Sequence, residues 1–432
     1  MRPRGAVFAG LLAAALSVLL VLDRATAQLR GHGGPVRALA ISADGGSAIS
    51  GGFDQSAILW DIEAGAARAV LRFHDGAVNA ILGLPGGGFA TAGEDGRIAI
   101  YAARGGEPVR VLAAHRAPIV SLALSPGGAH LASASWDGTA RVFPLAGGGE
   151  ARVLEGHQGN VNAVVFLPDG RLVSGGYDAT VRIWPEAAGA PLVVTLPAPV
   201  NALAASPRSE IAAAGADGAV RIFGPDGSAL GVVEASHAPV TALALSPDGT
   251  QLAASTIGGE IVLVDKGQRK IVRRIAGSGQ PVWAVAFRPG KPELLSAGGD
   301  RLIRRWNPES GEPIGLSAGP ETTERRGDPQ GDRGAELFQA CAACHSLSAG
   351  GENRAGPSLH GVFGRRIATA VGYNFSEALK RLDIVWSAET IGKLFEIGPS
   401  RYTPGTKMPE QRIEDAADRS ALIRFLEKAT TN

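Results

Sequence analysis

Residues 161–184 read VNAVVFLPDGRLVSGGYDATVRIW. Three short runs, VNAVVF, RLVSGG and ATVRIW, are broken by Pro168-Asp169-Gly170 and by Tyr177-Asp178. Alternating strands punctuated by Pro-Asp-Gly and Gly-rich joints read as antiparallel strands linked by tight turns. The stretch ends on Trp184, and counting outward finds its equivalents at Trp60, Tyr101, Phe143, Phe223, Val264 and Trp306. Six residues before these seven positions stand Asp54, Asp95, Asp137, Asp178, Asp217, Gly258 and Asp300. Residues 31–306 therefore repeat about every forty-one positions in seven copies, and a period of this length marks a repeat architecture.

His32, His74, His115, His157 and His237 lie twenty-one or twenty-two residues before the acidic position of their copies. Four short strands per unit, a His near the start and a Trp-type end resemble the WD-repeat family, which implies a seven-bladed β-propeller. In that family the His, the turn Asp and a Ser or Thr form a hydrogen-bonded network reaching toward the Trp. The resemblance carries those roles to His32, Ser50, Asp54 and Trp60 in blade one and to His157, Ser174, Asp178 and Trp184 in blade four. A metal site would need the histidines to converge, whereas a repeat spreads them around a ring, so a structural role is expected. Blades five and six are degenerate: TLPAPV occupies the His position of one, and Gly258 replaces Asp in the other. Two closures of the ring are open, with the outer strand supplied by EPIGLSAG after Trp306 or by Gln28-Leu29-Arg30 at the other end.

The chain has two cysteines, spaced Cys341-Ala342-Ala343-Cys344 and followed directly by His345. Cys-x-x-Cys-His is the attachment signature of c-type haem, with two thioether-forming thiols and an adjacent imidazole for the iron. A disulfide, a redox-active pair or half of a zinc site would also use Cys-x-x-Cys. The immediate His argues against these, and His360 is the only other His nearby. Of two methionines one is Met1; the other, Met408, sits in TPGTKMP, where a Pro-Gly turn would offer its thioether as sixth ligand. His/Met ligation raises the reduction potential and favours electron transfer. Segment 415–428, DAADRSALIRFLEK, places Ala421, Leu422, Phe425 and Leu426 on one face, begins acidic and ends with Lys428, and so predicts an amphipathic closing helix.

Residues 333–432 resemble a class I c-type cytochrome along their whole length. Gly334 and Phe338 match its N-terminal helix, Leu422 and Phe425 its C-terminal helix, and GPSLHGVFGR the loop beneath the haem. The resemblance implies one covalently attached haem c, an all-α domain and a Pro357 carbonyl accepting from the His345 ring. It also places Arg365 and Trp386 near a haem propionate and Tyr402, Thr406 and Lys407 in the methionine loop. Two positions depart from the family: Phe395 and Phe375 stand where tyrosines are usual, so two hydroxyl donors are missing.

Arg2 and Arg4, an apolar run from Gly5 to Leu22 and then Ala25-Thr26-Ala27 read as a secretory signal, residues 1–27. A periplasmic location is expected, with an uncleaved anchor to the inner membrane facing the periplasm as the alternative, because the run is near a membrane span in length. The expected organisation is a signal peptide 1–27, a propeller 28–318, a polar linker 319–332 and a cytochrome domain 333–432. Such a linker would hold the domain within roughly 20 Å of the propeller if flexible. With 42 basic against 41 acidic residues, nothing points to nucleic acid. Arg365, Arg366 and Lys407 remain as a local basic patch beside the haem.

The leading expectation is a periplasmic electron-transfer protein with redox partner proteins, its propeller serving as a docking module for a protein, rather than a catalyst. A propeller-type dehydrogenase, or a subunit of one, with the cytochrome domain as built-in acceptor is the alternative. Off-lattice Trp136 and Trp283 would be its candidates for stacking on a flat cofactor, and His130 is its one off-lattice propeller histidine. A haem-based sensor is a third reading, which Met408 opposes by filling the sixth position.

Overall fold

The computed structural model describes residues 28–147, 149–314, 333–348 and 353–430; the expected signal peptide and linker lie outside them. Residues 28–306 form seven four-stranded antiparallel sheets, the blades of a propeller. The first strand, β1 (Gln28–Arg30), precedes blade one, which consists of β2 (Val36–Ile41), β3 (Ser47–Gly52), β4 (Ala57–Asp61) and β5 (Ala66–Leu71). Apolar residues cover both faces of the middle strands because each blade packs against two neighbours. Ile49, Leu59 and Leu71 of blade one share a cluster with Val78, Phe89 and Tyr101 of blade two.

The structure settles the closure in favour of the N-terminal run. β1 pairs antiparallel with the strand 302–306, Leu29 opposite Ile303, and completes blade seven. Leu29 is 1% exposed and packs with Val36, Trp60 and Ile62 of blade one and Leu295 and Ile303 of blade seven. A buried ionic network spans the same seam. Glu293 accepts from Arg288 and Arg305, while Arg288 also reaches the Gly45 carbonyl and Glu63 across the blade boundary.

The expected blade network forms. His32 Nδ1 lies 2.9 Å from Asp54, its Nε2 2.7 Å from Ser50 Oγ, and Trp60 Nε1 donates to the same hydroxyl at 2.8 Å. Blade four repeats this with His157, Asp178, Ser174 and Trp184, and His74 and His115 join Asp95 and Asp137 in the same way. His237 departs from the expectation: it is exposed, because Gly258 offers no carboxylate to draw it in. Both degenerate blades nevertheless build all four strands, since Val220, Val240, Leu252 and Val262 keep a continuous apolar seam between them.

The C-terminal region is helical: α1 (Arg333–Ala342), α2 (Glu377–Lys380), α3 (Ala388–Ile397), α4 (Pro399–Tyr402) and α5 (Ala416–Thr430). The predicted closing helix is α5. It crosses α1 where Phe338 and Phe425 meet at 5.4 Å between ring centroids, and Arg333 pairs with Asp418 at 2.8 Å. α3 starts in a capping box in which Ser387 accepts from Thr390 N–H and Thr390 Oγ1 accepts from Ser387 N–H. The helical domain packs directly on blade one. Ala67 N–H of β5 donates to the Ala343 carbonyl, and Ala355 N–H donates back to the Ala67 carbonyl. Among the described residues no helix is long and apolar enough to cross a membrane.

Candidate functional site

At the end of α1 the chain tightens into a turn in which the N–H groups of Cys344 and His345 both donate to the Cys341 carbonyl, at 3.0 and 2.9 Å. This turn aims both sulfurs and the imidazole into one cleft. The thiols are buried and unpaired, and burial pushes both pKa values up to about 12, so they stay protonated.

The His345 ring is fixed on two sides. Its Nδ1 lies 2.8 Å from the Pro357 carbonyl oxygen, and its face rests on Gly356, where a Cβ would come within 2.4 Å of Cε1. Burial holds the imidazole below its ordinary pKa; the Pro357 carbonyl opposes this and the Arg365 charge reinforces it. The ring is therefore neutral with its proton on Nδ1, a tautomer assigned from the hydrogen bond, and the Nε2 lone pair is directed at the cleft.

Across the cleft, the segment after α4 carries Met408. Thr403 Oγ1 donates to the Pro399 carbonyl, Thr406 N–H to the Thr403 carbonyl, and Met408 N–H to Thr406 Oγ1 at 3.1 Å. Ser376 Oγ closes the loop by donating to the Gly405 carbonyl at 2.8 Å. Each hydroxyl satisfies a backbone group that an irregular loop would otherwise leave bare.

All eight residues expected from the sequence, Cys341, Cys344, His345, Pro357, Arg365, Trp386, Thr406 and Met408, line this one cleft. Apolar walls come from Phe338, Val362, Leu394 and the two departures Phe375 and Phe395. The expected basic patch is only partly free. Arg365 donates to the carbonyls of His360 and Ser358, Arg366 pairs with Asp383, and Lys407 approaches Glu107 at 3.4 Å. Tyr373, which the sequence reading did not single out, donates from Oη to the Ala355 carbonyl at 2.6 Å and packs edge-on against Phe375. Val70 of β5 also reaches the cleft, and no sequence signal marks it, since it comes from the other domain.

These groups fit a haem c. Two adjacent unpaired thiols suit covalent attachment, a neutral imidazole and a thioether suit the two axial positions, and an apolar slot suits the macrocycle. The propeller aromatics stand elsewhere: Trp136 is 45% exposed at a blade turn, and Trp283 packs against Phe53 at 5.4 Å with Arg37 over its ring. His130 is exposed at the start of the strand 130–135.

The model of the WD domain, G-beta repeat, matches residues 24–61, 106–143, 148–185, 227–265 and 269–307. Blades two and five escape it yet fold as blades. The cytochrome c model matches residues 331–430. The chain is 44% identical to cytochrome c of Cochliobolus lunatus over 107 residues, which are 24% of this chain and 98% of that protein. It is 44% identical to cytochrome c of Arabidopsis thaliana over 104 residues, 23% of this chain and 92% of the relative. A cytochrome c domain implies a haem c cofactor and haem-based electron transfer, and the WD propeller implies a docking module for proteins. The chain thus belongs to the cytochrome c family through its C-terminal domain, which it carries behind a seven-bladed propeller of WD repeats.

Proposed function

We propose that this protein is a periplasmic single-electron carrier holding one haem c through thioethers from Cys341 and Cys344, with His345 and Met408 as axial ligands and the propeller docking a redox partner protein. The observation that carries this reading is the convergence of Cys341, Cys344, His345 and Met408 on one apolar cleft. Haem c supplies a one-electron couple when bound. Around it the Pro357 carbonyl orients the His345 ring, Thr406 positions the Met408 backbone, and Phe375, Phe395 and Val70 exclude water. Arg365 and Trp386 serve the propionate side. The Arg2/Arg4 and apolar signal at the N-terminus supports export to the compartment where haem is attached covalently.

Two measurements test it. The purified full chain should carry one haem per polypeptide with a low-spin spectrum, and Met408→Ala should turn it high-spin and lower its potential; an unchanged spectrum sinks the Met408 assignment. Cell fractionation should release the protein with the periplasmic contents, and retention in the cytosol would refute the location.

A further inference from the structure

The propeller grips the segment that carries Met408. Arg72, the residue after β5, donates from Nη1 to the Met408 carbonyl at 2.6 Å and from Nη2 to Ser400 Oγ at 3.0 Å, so one guanidinium spans both ends of the loop from α4 to Met408. Gln411 Nε2 donates to the Gly31 carbonyl at 3.1 Å, which ties the chain just past Met408 to the turn between β1 and β2. At Gly33 in the same turn, a Cβ would stand 1.3 Å from the Glu410 carbonyl oxygen, so the two backbones touch where only glycine fits. Lys407 completes the set toward Glu107 of blade two, an exposed pair of little energetic weight. Residues 400–411 are thereby held from blades one and two.

We propose that Arg72 is a positioning residue for the sixth ligand and that the propeller clamps the methionine loop against displacement. This rests on Met408 as axial ligand, the reading given above. The loop holds its own shape through Thr403, Thr406 and Ser376, all acting within the helical domain. Arg72 adds a charge-assisted anchor to the peptide carbonyl of the ligand residue itself. Because the guanidinium fork has fixed geometry, its two bonds set the spacing between Ser400 and Met408. Moving the Met408 backbone away from the cleft would break the Arg72 bond, so docking of the domains and retention of the thioether are coupled.

The test is competition by exogenous imidazole for the sixth position in the ferric full-length protein, followed by the far-red band of Met-ligated haem. Arg72→Ala should bind imidazole on the order of tenfold more tightly, the equivalent of one charge-assisted hydrogen bond lost. Arg72→Lys, with a single point-like donor, should recover part of the resistance. Gly33→Ala, which wedges the interface at Glu410, past Met408 and away from Arg72, should weaken resistance in the same direction. Unchanged imidazole affinity in both Arg72→Ala and Gly33→Ala overturns the clamp. Absence of the Met band in the unaltered protein overturns the ligand assignment and the clamp with it, so the two failures are told apart by the starting spectrum.

Discussion

The Nδ1 of His345 lies 2.8 Å from the carbonyl oxygen of Pro357, and Gly356, the residue before that proline, is the floor on which the ring rests. Orientation of the imidazole and the absence of a side chain at position 356 are one structural fact. Gly356→Ala should push the ring off its acceptor, lower the haem content per polypeptide and cost the domain about 1 to 3 kcal/mol by overpacking. Haem-to-protein ratio and urea denaturation read both effects; normal loading and stability would show that the ring tolerates displacement.

Closure of the propeller hangs on a strand of three residues. Leu29→Ala removes the one side chain of β1 that is fully buried between blades one and seven and should destabilise the propeller by about 2 to 5 kcal/mol. Hydrogen exchange should show the strand 302–306 opening first. Protection unaltered in that strand would mean that the segment after Trp306 can take over the edge.

Glu293 is flanked by the buried guanidinium groups of Arg288 and Arg305. Glu293→Gln leaves the buried Arg305 without its close counter-ion and Arg288 with Glu63 alone, and should cost on the order of 3 kcal/mol, whereas an exposed pair such as Lys393 with Glu389 should cost little when broken. Paired denaturation curves of Glu293→Gln and Glu389→Gln decide the matter, and equal stability of the two variants contradicts the network's role.

The blade histidines make the propeller sensitive to acid. Burial lowers the pKa of His115 and His157 in the folded state, outweighing the opposing pull of Asp137 and Asp178. The unfolded chain then binds more protons below about pH 6.5, so the stability from keeping these rings neutral is complete above that value and is lost as pH falls. The depressed carboxyls of Asp137 and Asp178 add a further loss below about pH 4. Urea midpoints of the propeller should decline from about pH 6.5 downward, and His157→Gln should flatten part of that decline. A midpoint constant across that range would be incompatible with buried neutral imidazoles.

Much of the molecule was legible in the chain because its signals are local or periodic. The Asp-to-aromatic spacing located every third strand, including Val264, where neither Asp nor Trp is present. Gly334, Phe338, Leu422 and Phe425 announced a helix crossing that forms as expected. His237 occupies the His position of its copy yet is exposed, because the Gly258 that marks blade six as degenerate leaves it no carboxylate partner. Tyr373 passed unnoticed because an aromatic beside Phe375 carries no mark of which carbonyl it will meet.

The seven-fold repeat and the contiguous Cys341-Ala342-Ala343-Cys344-His345 motif are written in the chain, since strand alternation and a one-turn attachment motif are properties of neighbouring residues. Folding in three dimensions is what makes β1 close the ring, Glu293 gather Arg288 and Arg305, Val70 wall the cleft and Arg72 reach Met408 across 336 positions of chain. Such contacts depend on how rigid units pack once formed, and spacing along a chain carries no information about which distant surfaces will meet.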